Sequence, residues 1–112
     1  MADMRPERHA LFELDELLRL IAELAAEGNR SRYDSEDRYR WVIHRLWIAA
    51  GNEAQAYLAA TANRQAQPWY RLYLFRNLLA HRRLTDIDED EVWRNTTIRP
   101  AELRKQVRNL LK

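Results

Sequence analysis

Two glycines and three prolines are all that this 112-residue chain contains of the two residue types that most strongly interrupt regular structure. Glycine supplies backbone freedom and proline removes a hydrogen-bond donor, so a chain poor in both has few places to reverse and should consist mostly of long helices. Apolar residues recur with a period of 3.6 and never alternate with a period of 2, which predicts an all-α bundle. The length suffices for a single domain over residues 1–112 with one modest core. A hydrophobic fraction of 46% beside a charged fraction of 32% belongs to a folded chain rather than a disordered one.

Pro6 suits a first helical turn, and Leu11, Leu14, Leu18, Ile21 and Ala25, widened by Leu17 and Leu24, predict a helix that Gly28-Asn29 ends. The stretch NRSRYDSED reads as a polar loop, with Asp34 or Ser35 as N-cap of the next helix. That second helix is predicted from about Ser35 to about Asn63. One stripe on it is Tyr39, Ile43, Leu46, Ala50, Ala54 and Tyr57; a second set, Trp41, Val42, Trp47, Ile48 and Leu58, lies largely off that stripe. A helix apolar over so much of its circumference needs more than one packing surface, and in a small domain the second surface is expected to be another copy of the chain. ANRQAQ reads as a loop. Pro68 then opens a third helix, PWYRLYLFRNLLAHRR, with Leu72, Phe75 and Leu79 inward. Thr85 or Asp86 is expected to cap a short fourth helix carrying Val92 and Trp93. Asp88, Glu89, Asp90 and Glu91 fall in its first turn, where the helix dipole favours negative charge, so they read as capping rather than as a metal site. Pro100 is expected to start a last helix with Leu103, Val107, Leu110 and Leu111.

The absence of cysteine excludes a disulfide framework and thiolate metal sites. The amino-terminal stretch has no apolar leader core, and no segment approaches the roughly 20 apolar residues of a membrane span; the expectation is a cytoplasmic protein without a membrane partner. Net charge is only +2, but 17 of the 19 basic residues are arginine, the residue whose forked donors match phosphate and whose plane stacks on bases.

Within the third helix, LFRNLLAHRRL sets Arg76, Asn77, His81, Arg82 and Arg83 among apolar residues. Arg76 and His81 are five residues apart, about 140° around a helix, with Asn77 between them in angle. Histidine can take a proton from a ribose 2′-hydroxyl or return one to the leaving oxygen near neutral pH. Arginine can hold the phosphate and balance developing charge, and Asn77 can fix the histidine tautomer or hold a phosphate oxygen. No metal or other cofactor is needed for that chemistry. Arg82 and Arg83 are candidates for contacting RNA phosphates. His9 and His44 read as ordinary helix residues. Spacing alone favours a solvated helix face.

Taken together, AGNEA (50–54), PW (68–69), FRNLLAH (75–81) and DEDEVW (88–93) resemble the HepT toxin family of HEPN-domain ribonucleases, in order and separation, from about Leu11 to the carboxyl terminus. The resemblance implies a compact bundle of about four to five helices that forms a homodimer, with Arg76, Asn77 and His81 of each protomer along a cleft at the interface. It implies a toxin of a type II toxin–antitoxin system: a metal-independent endoribonuclease cutting tRNA or mRNA to a 2′,3′-cyclic phosphate. A minimal nucleotidyltransferase antitoxin of the MntA type would neutralise it by transferring AMP to a tyrosine. The family motif has that tyrosine two residues after the histidine, where this chain has Arg83. The other reading left open is a non-catalytic helical module that binds nucleotide or RNA or partners a nucleotidyltransferase.

Overall fold

The structure, a computed structural model, describes residues 5–112. These residues fold into a compact bundle of five α-helices and one 3-10 turn, and no strand occurs among them. Helix α1, Pro6–Glu27, starts on proline and stops at Gly28, where the backbone turns extended. Its buried face is Leu11, Leu14, Leu18 and Ile21, the stripe that the periodicity predicts. Burying each such side chain contributes about 1.5–3 kcal/mol.

The polar stretch after Gly28 is not a loop. Arg30–Ser35 forms a short helix, α2, whose first turn is capped by the Asn29 side chain accepting from the Arg32 amide at 2.8 Å. Intrahelical pairs Arg30–Asp34 and Arg32–Glu36 (2.8 and 3.2 Å) cover its outer side. Tyr33 is fully buried and anchors the helix to the core. A single inward aromatic gives no periodicity, which is why the sequence pattern misses this element.

Helix α3, Asp37–Thr61, is the central element. It packs against α1 on one side and α4 (Trp69–His81) on the other, so neighbouring helices of the same chain supply the second packing surface. Trp47 and Leu58, from the off-stripe set, are buried. Phe75 meets the Trp47 ring edge-on at 5.5 Å, and Trp69 meets Tyr57 at 5.9 Å. Only Trp41 and Val42, 56% and 40% exposed, remain open to solvent. The N-cap position is Glu36, which makes no side-chain capping bond, rather than Asp34 or Ser35.

Beyond α4 and the 3-10 turn Leu84–Asp86, helix α5 runs unbroken from Glu89 to Leu111. Asp88, and not Thr85 or Asp86, is its cap: one carboxylate oxygen accepts from the amides of Asp90 and Glu91 at 3.1 and 3.3 Å. Pro100 lies inside α5 rather than starting a separate helix. Its ring removes one intrahelical hydrogen bond, yet Val92 and Thr96 before it and Leu103 and Val107 after it are all buried. Packing on both sides of the proline, against α1 for much of the length, holds the two halves as one rod. None of the described helices is long and apolar enough to cross a membrane.

Candidate functional site

Helices α3 and α4 lie antiparallel and approach closely at Gly51. A Cβ built there would overlap Arg76 Cβ and stand 2.8 Å from Arg76 Cγ and 3.1 Å from the Leu72 carbonyl oxygen. The missing side chain therefore lets the stem of Arg76 lie directly on α3. From that position Arg76 Nε donates to Asn52 Oδ1 at 2.7 Å, and Nη1 donates to Asn77 Oδ1 at 2.8 Å. The guanidinium is held by two amide oxygens, neither of which neutralises it. Asn77 thus orients the arginine. Asn52 is the residue that sequence reasoning missed: it stands in AGNEA, but only the helix pairing shows that it faces Arg76.

His81 ends α4 and is exposed, and among the described residues its ring has no hydrogen-bond or ion-pair partner. The structure thus joins Arg76 to Asn77 and Asn52 but turns the arginine toward α3, leaving His81 free one and a half turns further along. Arg82 and Arg83 follow immediately, both exposed, where the backbone leaves the helix.

Charge is unevenly divided along the chain. Residues 38–87, which contain nearly all of α3, α4 and their connections, carry eight arginines against two carboxylates, Glu53 and Asp86. Net charge there is +6, so the remaining residues carry −4 of the total +2. The arginines in ion pairs are Arg5, Arg19, Arg30, Arg32, Arg40, Arg104 and Arg108. Among the described residues ten arginines have no carboxylate partner; seven of them, Arg38, Arg45, Arg64, Arg71, Arg76, Arg82 and Arg83, stand on this hairpin or its flanks, and Arg8, Arg94 and Arg99 stand elsewhere.

Of the cavities that border the hairpin, two lie toward its ends. One, about 440 Å³, is lined by Gln55 and Leu58 of α3, by Arg64, and by Tyr70 and Tyr73 of α4. The other, about 740 Å³, lies at the opposite end, between Arg38 and Trp41 of α3 and Leu84 and Thr85 after His81. At its floor His44, read from sequence as an ordinary helix residue, is buried. His44 Nε2 is 2.8 Å from Glu89 Oε1 and 3.1 Å from the Tyr33 hydroxyl, which itself donates to Glu89 at 2.6 Å. Burial, reinforced by the bond to Glu89, raises the Tyr33 phenol well above its ordinary pKa. This cluster locks α2, α3 and the start of α5 together.

No family model matches the chain, and neither a curated protein nor a solved structure matches it. What the site can do is accordingly argued from its own geometry. A fixed, unneutralised guanidinium and an accessible imidazole stand on the most basic part of the molecule, an arrangement suited to a phosphodiester.

Proposed function

We propose that the protein is a metal-independent endoribonuclease of the HEPN/HepT type, acting as a homodimer and serving as the toxin of a toxin–antitoxin pair. The observation that carries this reading is the Asn52–Arg76–Asn77 network, with His81 exposed and unpaired one and a half turns further along α4. In the proposed reaction His81 takes the proton of a ribose 2′-hydroxyl as that oxygen attacks phosphorus. The bond to the 5′-oxygen breaks, this oxygen leaves with a proton returned by the imidazolium, and the products are a 2′,3′-cyclic phosphate and a 5′-hydroxyl. Arg76, already oriented, holds the phosphate oxygens and balances the charge that develops on them. Arg82 and Arg83 extend the positive field toward the strand. A nucleotidyltransferase antitoxin of the MntA type is the proposed partner. With Arg83 at the position of the family's tyrosine, its control over this chain would not run through AMP transfer at that residue.

The test is incubation with tRNA and mRNA in EDTA, comparing wild type with His81→Ala and Arg76→Ala. Cleavage by wild type, lost in both variants, is the expected result; RNA left equally intact by all three sinks the catalytic claim. Arg83, in place of the family's tyrosine, motivates one alternative, a non-catalytic module that binds RNA or nucleotide or partners a nucleotidyltransferase. Growth on induced expression separates the two, because arrest by a nuclease is relieved by His81→Ala and a binding module causes none that depends on this residue. A homodimer is checked by sedimentation: only a 13.5 kDa species at micromolar concentration removes the composite cleft.

A further inference from the structure

The two cavities on the hairpin flank the Arg76–His81 motif. Reading along α4, Tyr70 and Tyr73 of the smaller cavity come first, then Arg76, Asn77 and His81, then Leu84 and Thr85 of the larger cavity. Reading backwards along antiparallel α3, Gln55 and Leu58 come first, then Asn52, then Trp41. Helical register aligns these residues. On α4, Tyr70, Tyr73, Asn77 and His81 recur at i, i+3, i+7 and i+11, within about 80° of one another. On α3, Trp41, Arg45, Asn52 and Gln55 likewise share one side, and all four are exposed. Each end of this seam carries aromatic surface. Tyr70 and Tyr73 are half-buried neighbours with ring centroids 6.3 Å apart. Trp41 is 56% exposed, with the Arg45 guanidinium 5.3 Å from its ring centroid. Arg64 at one end, and Arg38 and Arg45 at the other, lack carboxylate partners among the described residues.

From these positions we infer that the α3–α4 seam is a track for single-stranded RNA, with base-stacking subsites on both sides of the reactive phosphate: Tyr70 and Tyr73 on one side and Trp41 on the other. The inference rests on the ribonuclease reading for the identity of the middle of the track. Flat aromatic faces interleaved with unpaired arginines are the means by which proteins hold single strands without reading sequence. The cavities provide the concavity that an exposed aromatic alone would lack; at 440 and 740 Å³ they fall in the size range of small-ligand sites. The fourteen helical rises from Trp41 to Gln55 span about 21 Å, or about six nucleotides at the stacked spacing of about 3.4 Å. A duplex presents no free base faces, so the track selects unpaired RNA.

The test uses full-length His81→Ala protein, which holds RNA without cutting it, and fluorescence anisotropy with end-labelled unstructured RNAs of increasing length. Affinity is expected to rise with length up to about six nucleotides and then flatten. Added to His81→Ala, Trp41→Leu and the pair Tyr70→Leu/Tyr73→Leu should each weaken binding about five-fold or more, and Trp41→Phe and the double Tyr→Phe variant should recover most of it. Arg45→Ala should reduce the slope of log affinity against log salt by about one. Variants binding within two-fold of the parent, or a phenylalanine variant as weak as its leucine counterpart, overturn the track. So does loss of dimer on Trp41→Leu with RNA affinity unchanged, which assigns that end to a second copy. Wild-type cleavage in EDTA reports on the ribonuclease reading separately. Cleavage without aromatic-dependent binding defeats the track alone; aromatic-dependent binding without cleavage defeats the nuclease alone.

Discussion

Gly51→Ala tests how the site is built, because two effects of known size oppose each other. Alanine is the better helix former by about 0.8–1 kcal/mol, and Gly51 sits inside α3 in a helical backbone. Were the position merely helical, the substitution would stabilise the protein by that amount. Instead, the added methyl overlaps the Cβ of Arg76 and comes within 2.8 Å of its Cγ. These atoms belong to the stem of the side chain, and Cβ cannot move without α4 itself. Relieving the Cγ overlap alone, out to ordinary contact at about 3.4 Å, requires roughly 0.6 Å of separation, and the Cβ overlap requires more. Overpacking of this kind costs about 1–3 kcal/mol, so the net expectation is destabilisation of up to about 2 kcal/mol. Parting the helices also lengthens the 2.7 Å bond from Arg76 to Asn52, which releases the guanidinium from the position that a transition state would use. Urea unfolding followed by tryptophan fluorescence reads the first effect, and RNA binding by the same protein reads the second. A variant more stable by about 1 kcal/mol, with RNA affinity unchanged, would refute the claim that glycine is there to admit Arg76.

Three further outcomes follow from single side chains. Asp88→Ala should lower stability by about 0.5–2 kcal/mol through loss of its capping bonds, whereas Thr85→Ala and Asp86→Ala should each stay within about 0.5 kcal/mol; equal losses in chemical denaturation would mean the cap is misassigned. Thr96→Val keeps the shape but removes the acceptor of the buried Trp47 indole N–H at 3.0 Å, so it should cost about 1–3 kcal/mol in the same assay; a neutral result removes this bond from the account of the core. Tyr33 supplies a pH dependence: its folded pKa lies above the unfolded value of about 10, so its contribution is complete below about pH 10 and is lost as pH rises beyond it. The slope approaches 1.4 kcal/mol per pH unit, and it adds to a slope of the same sign from Tyr39, whose phenol burial also raises. Tyr33→Phe should flatten the slope between about pH 10 and 12; an unchanged slope would show that the phenol is not held protonated.

The long helices are legible because their stripes repeat: Leu11 to Ile21 on α1, and Tyr39, Ile43, Ala50 and Ala54 on α3, bury as the spacing requires, while Trp47 and Leu58 are buried more fully than Leu46 and Tyr57. What the sequence conceals has specific causes. Residues of α2 have no apolar period, since Tyr33 alone faces inward and local ion pairs satisfy the rest. Pro100 carries a strong stop signal that burial on both sides overrides. His44 looks like any helical histidine until α2 and α5 bring Tyr33 and Glu89 to it from 11 and 45 residues away. The site divides in the same way. Arg76, Asn77 and His81 can be picked out by spacing within one helix, whereas Asn52 joins them across 24 residues through a helix pairing that no local pattern encodes.

The small net charge also hides more than it states, because +2 is the remainder of a basic hairpin and an acidic complement. If two copies meet through their α3–α4 hairpins, surfaces of +6 face each other. Two unit charges about 10 Å apart repel by about 0.4 kcal/mol in water, and the many cross-pairs at such an interface add up unless counterions or a polyanion screen them. A strand of RNA placed in such a cleft would supply that screening, one phosphate per nucleotide, while displacing the counterions of its own backbone. Dimer and substrate then need not compete for one face: each lowers the electrostatic cost of the other. The exposed apolar residues beside the seam, Val42 and Leu84, would give the assembly its contact area, and the unpaired arginines would make its closure depend on the ligand.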